Sequence, residues 1–533
     1  MKVALIAPPF PLAEAPSAPL GLCYVAAAFE KADAEVIILD YIVRQYSTEK
    51  LQTELNAFQP DLIGITSVTL NCNQAIEIIK TARSVFPSAV TVMGGHHVSF
   101  EYESTLRQHP EIDLVVIGEG EATIAELSPV IRDRRSWRQI AGIAFMDGDE
   151  LVVTPPRDPV KDLDILPLPS RHLLPLSRYL ALGFPVSIIT SRGCPGRCIF
   201  CQGRRMVGSR VRSRNPINVV DEIETLLACG FPRINFSDDF FTAKKQRVEA
   251  ICREIQHRGL DFAWTVFARA DSVTPELLQV MRKAGCDTVF FGIESGNQQI
   301  LDGVRKGVKL DRIRQAVADC KSVGMNVFGS FIVGLPGETW ETLMDSHRFA
   351  EELGIMYGYH FLAPFPGTDV KENLDQFDLE ILTDNWSDFD ANRAIVRTSG
   401  LSAEDTESFV EEYYMKIVRE VESRIEKEYQ EGSLNKAEKM VYIGNKRLDI
   451  VFKLLSEDVI ENMPLMPVTI NGIQPEIQIA EMIAAHIDRP ADFALPAIKN
   501  LFEKDLLQYR IVNDQAICSW ADSRHFPRLE STG

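Results

Sequence analysis

Three of the ten cysteines in this 533-residue chain fall in one short stretch, SRGCPGRCIFC, which places Cys194, Cys198 and Cys201 at CxxxCxxC spacing. The other seven, Cys23, Cys72, Cys229, Cys252, Cys286, Cys320 and Cys518, are scattered singly and are too sparse for a disulfide scaffold. Three thiols this close share a metal, are reactive, or are adjacent by chance. Zinc commonly takes four protein ligands, often as two CxxC-type pairs, and no second pair or well-spaced Cys/His partner is present. Three thiolates instead suit a 4Fe-4S cluster that leaves one iron open for a substrate.

Further downstream, other polar residues sit where apolar runs end: Asp238 and Asp239 in NFSDDFFT, Arg269 in ARAD, Glu294 in GIESG, and Gly334, Pro336, Gly337 and Glu338 in FIVGLPGET. Taken singly, an Asp pair or a Gly-Pro turn is as readily a helix cap or a tight bend. Their shared order after the cysteines gives them weight. Upstream, small residues cluster at run ends: Pro8 and Pro9; Ser67, Val68 and Thr69; Gly94, Gly95 and His97; Gly118, Glu119, Gly120 and Glu121. Such residues let a large ligand approach backbone amides closely. No GxGxxG occurs, so a dinucleotide fingerprint is absent.

The elements that position these residues follow from periodicity. Apolar runs at 3–7, 35–40, 62–66, 90–94 and 114–118 alternate with helical stretches, the βαβ rhythm of a doubly wound parallel sheet. This gives an α/β domain over 1–150. Proline clusters then mark a linker over 151–185. Strands resume near 186–190, 233–237, 263–267, 288–293, 327–333 and 358–362, and six such units curl into a partial (β/α)6 barrel over 186–395. Residues 396–533 read as a mainly helical domain, with a charge-dense helix over 402–429 and a winged-helix-like end of two helices and a small hairpin.

The cysteine loop, with Phe200 between its last two cysteines, resembles that of the radical S-adenosylmethionine (SAM) superfamily. That resemblance covers roughly 186–395. It implies that Cys194, Cys198 and Cys201 hold a 4Fe-4S cluster. It also implies that Phe200, Asp238, Asp239, Arg269, Glu294 and Gly334 contact SAM, whose reductive cleavage yields a 5'-deoxyadenosyl radical. The segments PLGLCYVAA, GITSVT, VMGGHHVS and IDLVVIGEGEAT resemble the cobalamin-binding domain fused ahead of the radical domain in one subfamily. There Pro9, Ser67 to Thr69, Gly94, Gly95, His97 and Gly118 to Glu121 would hold cobalamin. The DxHxxG motif that supplies a lower cobalt ligand in some cobalamin proteins is missing. A flavodoxin-like fold without cobalamin is the plainer reading of this domain.

The combination implies a cobalamin-dependent radical C-methyltransferase acting on a small molecule, lipid or peptide, served by an electron donor such as a flavodoxin or ferredoxin. The alternative on the same scaffold is an oxidative cyclase or ring-rearranging enzyme, as in the anaerobic Mg-protoporphyrin ester cyclases. Cys23 and Cys72 are too few and too far apart for the second cluster of a methylthiotransferase. A reading from another class joins a corrin domain to a winged helix as a regulator.

Charge argues against DNA as a partner. The chain carries 56 basic and 75 acidic side chains, a formal net charge of -19, which opposes nonspecific attraction to nucleic acid or anionic lipid. One local exception is 192–214, with seven arginines and no acid. These either balance the cluster and anionic cofactors or are solvated loop side chains. Tyr357, Tyr359 and Trp386 read equally as core or as pocket wall. With no apolar run of about 18 residues and no signal-peptide pattern, the expectation is a cytoplasmic protein without a membrane span.

Overall fold

Runs of Val, Ile and Leu flanked by small residues form strands buried on both faces, and this places them inside parallel sheets. The computed structural model describes all residues except 13–15, 464, 469–473, 524–525 and 528–533. Its first sheet contains β1 (Lys2–Ala7), β2 (Glu35–Asp40), β3 (Leu62–Thr66), β4 (Val90–Gly94), β5 (Leu114–Val116), β6 (Ile143–Asp147) and β7 (Glu150–Val153), in the order β2-β1-β3-β4-β5-β6-β7. The first five are parallel, whereas β6 and β7 form an antiparallel hairpin. Helices Leu20–Lys31 and Glu121–Leu127 cover one face of the sheet, and helices Thr48–Phe58 and Cys72–Val85 cover the other. The chain moves from β1 outward to β2 and returns past β1 to β3. The carboxyl ends of β1 and β3 therefore flank the switch point, where open α/β sheets form a ligand crevice.

The proline-rich stretch is not extended throughout. Leu176–Leu182 is a buried helix, and Pro175 is tolerated because it sits at the helix N-cap, where no intrahelical N–H is needed. This short helix joins three parts of the molecule. Tyr179 donates to Asp40 at 2.7 Å, Arg178 donates to the Val43 carbonyl at 3.1 Å and lies over the Trp520 ring, and Ser177 donates to the Ala521 carbonyl at 2.9 Å.

Next comes β8 (Val186–Ile188), followed by a short antiparallel ribbon of β9 (Ser191–Arg192) and β10 (Arg212–Ser213) that brackets the cysteine loop. The barrel continues with β11 (Arg233–Phe236), β12 (Ala263–Ala268), β13 (Cys286–Glu294), β14 (Asn326–Val333) and β15 (Met356–Phe361). The six parallel strands run β15-β14-β13-β12-β11-β8, an open arc in which β15 and β8 do not pair. A ribbon of β16 (Glu380–Ile381) and β17 (Val396–Arg397) follows.

In the C-terminal part, the expected single helix over 402–429 is interrupted. Helix Ala403–Val410 passes through a π-helical turn, Glu411–Met415, into Lys416–Glu431. A 21-residue helix, Lys436–Ser456, then lies in a stretch that carried no clear pattern in the sequence. The end is two helices, Pro475–His486 and Ala491–Glu503, and a three-stranded sheet, with β18 (Met466–Pro467) beside the hairpin of β19 (Leu507–Val512) and β20 (Gln515–Trp520). Among the described residues no helix is long and apolar enough to cross a membrane.

One contiguous apolar core runs through both sheets and the C-terminal helices. At its centre Glu222, fully buried, accepts from Arg171 at 2.5 Å and pairs with Arg214, while Arg171 also donates to the Ser187 carbonyl at 2.8 Å. Burial alone would raise the Glu222 pKa, but the two guanidiniums outweigh it and hold it below the usual carboxylate value. Removing one member strands an opposite charge in a dry interior, at a cost of about 3–5 kcal/mol. Glu222→Gln is therefore expected to lower unfolding free energy by that order in a chemical denaturation series.

Candidate functional site

The carboxyl ends of the barrel strands face the carboxyl ends of the first sheet, and the cysteine loop lies between them. Asp238, just beyond β11, is 4% exposed and accepts from the Thr190 N–H, the Thr190 hydroxyl and the Ser191 hydroxyl, each at 2.6 Å. These three hydrogen bonds tie Asp238, expected to contact SAM, to the entry of the cysteine loop. Asp239 accepts from Gly193 N–H at 2.9 Å and is itself exposed. Gly193 has φ +104, and a Cβ there would lie 2.4 Å from the Arg210 carbonyl oxygen, so only glycine makes this bend.

Backbone N–H groups of Gly196 and Gly203 donate to the Cys194 and Cys201 sulfurs at 3.4 Å. A Cβ on Gly196 would sit 3.2 Å from the Cys194 sulfur and 4.0 Å from that of Cys198, so the glycine leaves open the space those sulfurs border. Among the described residues, no three His, Cys, Asp or Glu side chains already converge as a metal-holding group. Burial pushes the Cys198 thiol up, and the nearby Lys306 and Arg269 charges act in the opposite direction, toward the thiolate that a cluster needs. Phe200 packs with a small core that includes Ile199, Ile300 and Leu335.

Arg269 is held by Asp271 at 2.8 Å and by the Lys306 carbonyl at 3.1 Å. Glu294, at the end of β13, has φ +67, a left-handed conformation unusual for a non-glycine residue. Its carboxylate accepts from Lys306 at 2.6 Å, and both side chains are nearly enclosed. Lys306 was not singled out in the sequence, where GVRKGV reads as an ordinary basic turn. Burial opposes its charge, but Glu294 outweighs that and raises its pKa.

Gly334, φ +90, begins the turn after β14. The buried Glu338 accepts from the Gly334 and Leu335 N–H groups at 2.8 and 3.0 Å through one oxygen, while its other oxygen has no partner among the described residues. Burial pushes its pKa up to about 8 against the pull of those two donors.

Across the cleft, a cavity of about 380 Å3 opens between the first sheet and the helices Leu20–Lys31 and Glu121–Leu127. Its depth is apolar, with Leu5, Leu62, Val92, Val116 and Phe29 around Gly64, where a Cβ would come within 2.8 Å of Leu5. Gly94, Gly95, His96, Gly118 and Gly120 line it near the strand ends, and Ile189, Ser237 and Asp239 close it from the barrel side.

Several residues expected at a cobalamin site lie beside this cavity rather than in its wall. Pro9 accepts from Asn71 through its carbonyl at 3.5 Å, and Val68 is 40% exposed. Buried His97 has its Nδ1 3.4 Å from the Thr69 hydroxyl and packs edge-on against Trp386; burial lowers its pKa to about 4, which keeps it neutral. Trp386 is thus an interdomain contact. The buried Ser67 hydroxyl lies beside the Cys72 thiol and helps to offset the burial that raises that thiol's pKa.

Glu119 and Glu121, expected at a cobalamin site, both line the cavity, and their carboxylates also clamp the barrel: Glu119 pairs with Arg212 at 2.5 Å, and Glu121 with Arg192 at 2.5 Å. The arginine-rich segment is correspondingly mixed. Arg192, Arg212 and Arg214 are buried in ion pairs, Arg204 and Arg205 meet the Pro195 carbonyl and Asp369, and Arg197 and Arg210 are exposed.

Residues 188–350 match the Radical SAM superfamily and residues 13–128 the B12 binding domain. An uncharacterized methyltransferase of Pyrococcus horikoshii is 33% identical over 423 residues, 78% of this chain and 92% of that protein. The chain belongs to the cobalamin-dependent radical SAM family. The cofactors of this family are a 4Fe-4S cluster, SAM and cobalamin. The anaerobic magnesium-protoporphyrin IX monomethyl ester cyclase of Cereibacter sphaeroides is 31% identical over 68% of the chain, which spans 61% of that protein. In fold, the radical SAM methyltransferase TsrM of Kitasatospora setae, solved with cobalamin and cluster, superposes with a TM-score of 0.66 at 23% identity, covering 76% of this chain and 90% of that one.

The residues present fit the family's cofactors. The glycine-floored apolar cavity at the switch point suits a bulky ligand with an apolar part, and the sulfurs bordering Gly196 suit a cluster.

Glu338 gives the site a pH signature. Its folded pKa of about 8 lies above the 4.5 of a free glutamate, so the folded chain holds a proton that the unfolded chain releases between those values. Stability from this group is present at low pH and is lost as pH rises through about 8. Glu338→Gln should match the parent's melting temperature near pH 5 and exceed it at pH 9, checked by paired melts across that range.

Proposed function

We propose that this chain transfers a methyl group from cobalamin to an unactivated carbon of a substrate. The observation that carries this reading is a switch-point cavity closed from the barrel side by Ile189, Arg192, Met206, Val207, Ser237 and Asp239, residues that flank the cysteine loop or end β11, with the two domains locked together by Arg192–Glu121 and Arg212–Glu119. When bound, the groups supply reductive formation of a carbon-centred radical and carriage of a methyl group.

In this reading Cys194, Cys198 and Cys201 hold the cluster, with Gly196 and Gly203 N–H groups directed at the sulfurs. Asp239, Arg269, Glu294, Lys306, Phe200 and Gly334 hold SAM: carboxylates meet its ammonium and ribose hydroxyls, cations meet its carboxylate, and the Gly334 turn admits the adenine. Glu338 keeps that turn in shape by accepting from its two N–H groups. Asp238 positions Thr190 and Ser191, and so the loop that follows. Ser67 to Thr69, Gly94, Gly95, His97 and the backbone of Gly118 to Glu121 contact cobalamin at its periphery, with Pro9 at the mouth. The apolar depth around Gly64 excludes water from its tail. An electron donor such as a flavodoxin or ferredoxin serves as reductant.

The similarity to the ester cyclase supports a second reading, oxidative ring closure without methyl transfer. Product mass separates the two. Anaerobic turnover with methyl-deuterated SAM should place deuterium in the product; label that never reaches it sinks the methyl-transfer reading. Gly64→Leu should lower cobalamin retention at least tenfold, read from cobalt content and the visible spectrum, with iron content unchanged.

A further inference from the structure

The turn after β4 presents a nitrogen donor that the site as described leaves unused. Gly94, Gly95, His96 and His97 carry the chain from the end of β4 into helix Val98–Gln108, and the turn is pinned at several points. The Ser67 N–H donates to the Gly94 carbonyl at 3.0 Å, and the Ser99 N–H and hydroxyl donate to the Gly95 carbonyl at 3.2 and 2.8 Å. The Ser99 hydroxyl in turn accepts from the Gly118 N–H at 3.0 Å. Gly95 has φ +107, and a Cβ there would lie 2.3 Å from the Ser67 carbonyl oxygen, so only glycine lets the turn close this tightly. The two histidines leave this turn for different surroundings. His97 is 2% exposed, against Thr69 and Trp386, whereas His96 is exposed to the switch-point cavity and forms part of its wall.

Among the described residues His96 makes no hydrogen bond or ion pair. Other polar side chains on the same wall are committed. Glu119 and Glu121 pair with Arg212 and Arg192, Tyr24 lies beneath the Arg192 guanidinium, Asp239 accepts from the Gly193 N–H, and Ser237 accepts from Asn235 at 3.0 Å. Thr66 and Met206 complete the set of donor atoms, and a neutral alcohol or a soft thioether competes poorly with an imidazole for a first-row divalent metal. Burial holds the His96 pKa below the ordinary imidazole value, against the upward pull of Asp239 across the cleft, so at neutral pH a ring nitrogen has a lone pair to give. The two residues belong to opposite walls: His96 follows a strand of the first sheet, and Asp239 follows β11 and holds the start of the cysteine loop. A flat ring entering between these walls has His96 on its first-sheet face. The DxHxxG motif is missing from the chain, and His96 offers the same type of nitrogen from a different turn.

We propose that His96 is the axial ligand of the cobalt on the face turned toward the first sheet. The proposal rests on the family's cobalamin site and not on the fate of the methyl group. Axial ligand identity is a main lever on the electronics of a macrocycle-bound metal, so His96 acts on the opposite, reacting face through the metal.

The test is electron paramagnetic resonance of the full chain loaded with cob(II)alamin, with cobalt content measured alongside. In protein made with ordinary histidine, each cobalt line is expected to split in three, from one axial nitrogen. In protein made with 15N-labelled histidine the same lines should split in two. His96→Gln should retain cobalt and give unsplit lines, whereas His97→Gln should keep the splitting. The isotope comparison uses the unaltered chain and so stands whether or not a variant folds. The proposal is overturned by unsplit lines in the unaltered chain, by a threefold splitting that survives labelling and so assigns the nitrogen to the cofactor's own base, or by splitting that persists in His96→Gln. An unaltered chain that retains no cobalt overturns the cobalamin site and this proposal with it. Deuterium that never reaches the product sinks methyl transfer and leaves the axial ligand standing.

Discussion

Everything in the site depends on two parallel sheets meeting carboxyl end to carboxyl end. That arrangement is held by buried charge: Arg192 and Arg212, on the ribbon that brackets the cysteine loop, reach into the first domain and pair with Glu121 and Glu119. Arg192 also lies over the Tyr24 ring. Four ionic side chains in a nearly dry interface are costly unless all are matched, so the two domains have little freedom to drift out of register. The cavity at the switch point and the cysteine loop therefore keep a fixed relation, which chemistry shared between two cofactors demands.

A second constraint operates inside the barrel. Glu294 adopts a left-handed backbone conformation at a register irregularity in β13, and the enclosed Lys306 meets its carboxylate. Strain of this kind persists only where the surroundings over-determine it. Gly292 is part of that surrounding, since a Cβ there would lie 2.4 Å from a Glu294 oxygen.

Much of this was legible in the sequence because it rests on local pattern. The βαβ rhythm, the six barrel strands, the cysteine spacing and the helix-helix-hairpin ending all follow from periodicity and short-range chemistry. What escaped involved partners far apart in the chain. The carboxylate of Asp238 accepts from Thr190 and Ser191, 48 and 47 residues away. Glu119 and Glu121 pair with arginines 93 and 71 residues further on. Lys306 carried no local signal at all. The π-helical turn at Glu411–Met415 broke a helix whose charge pattern reads as continuous, since a single inserted residue barely disturbs the apolar period.

By itself the sequence determined the fold class, the cluster motif and the family, because strand periodicity and ligand spacing are properties of neighbouring residues. Tertiary structure alone decided that Glu119 and Glu121 pair with arginines of the barrel, that a neutral His97 packs against Trp386, and that Phe267, Phe290 and Phe328 line up as one row. The physical reason is that charge pairing and strand register join residues tens to hundreds of positions apart, and their energies exist only once the chain has closed the distance.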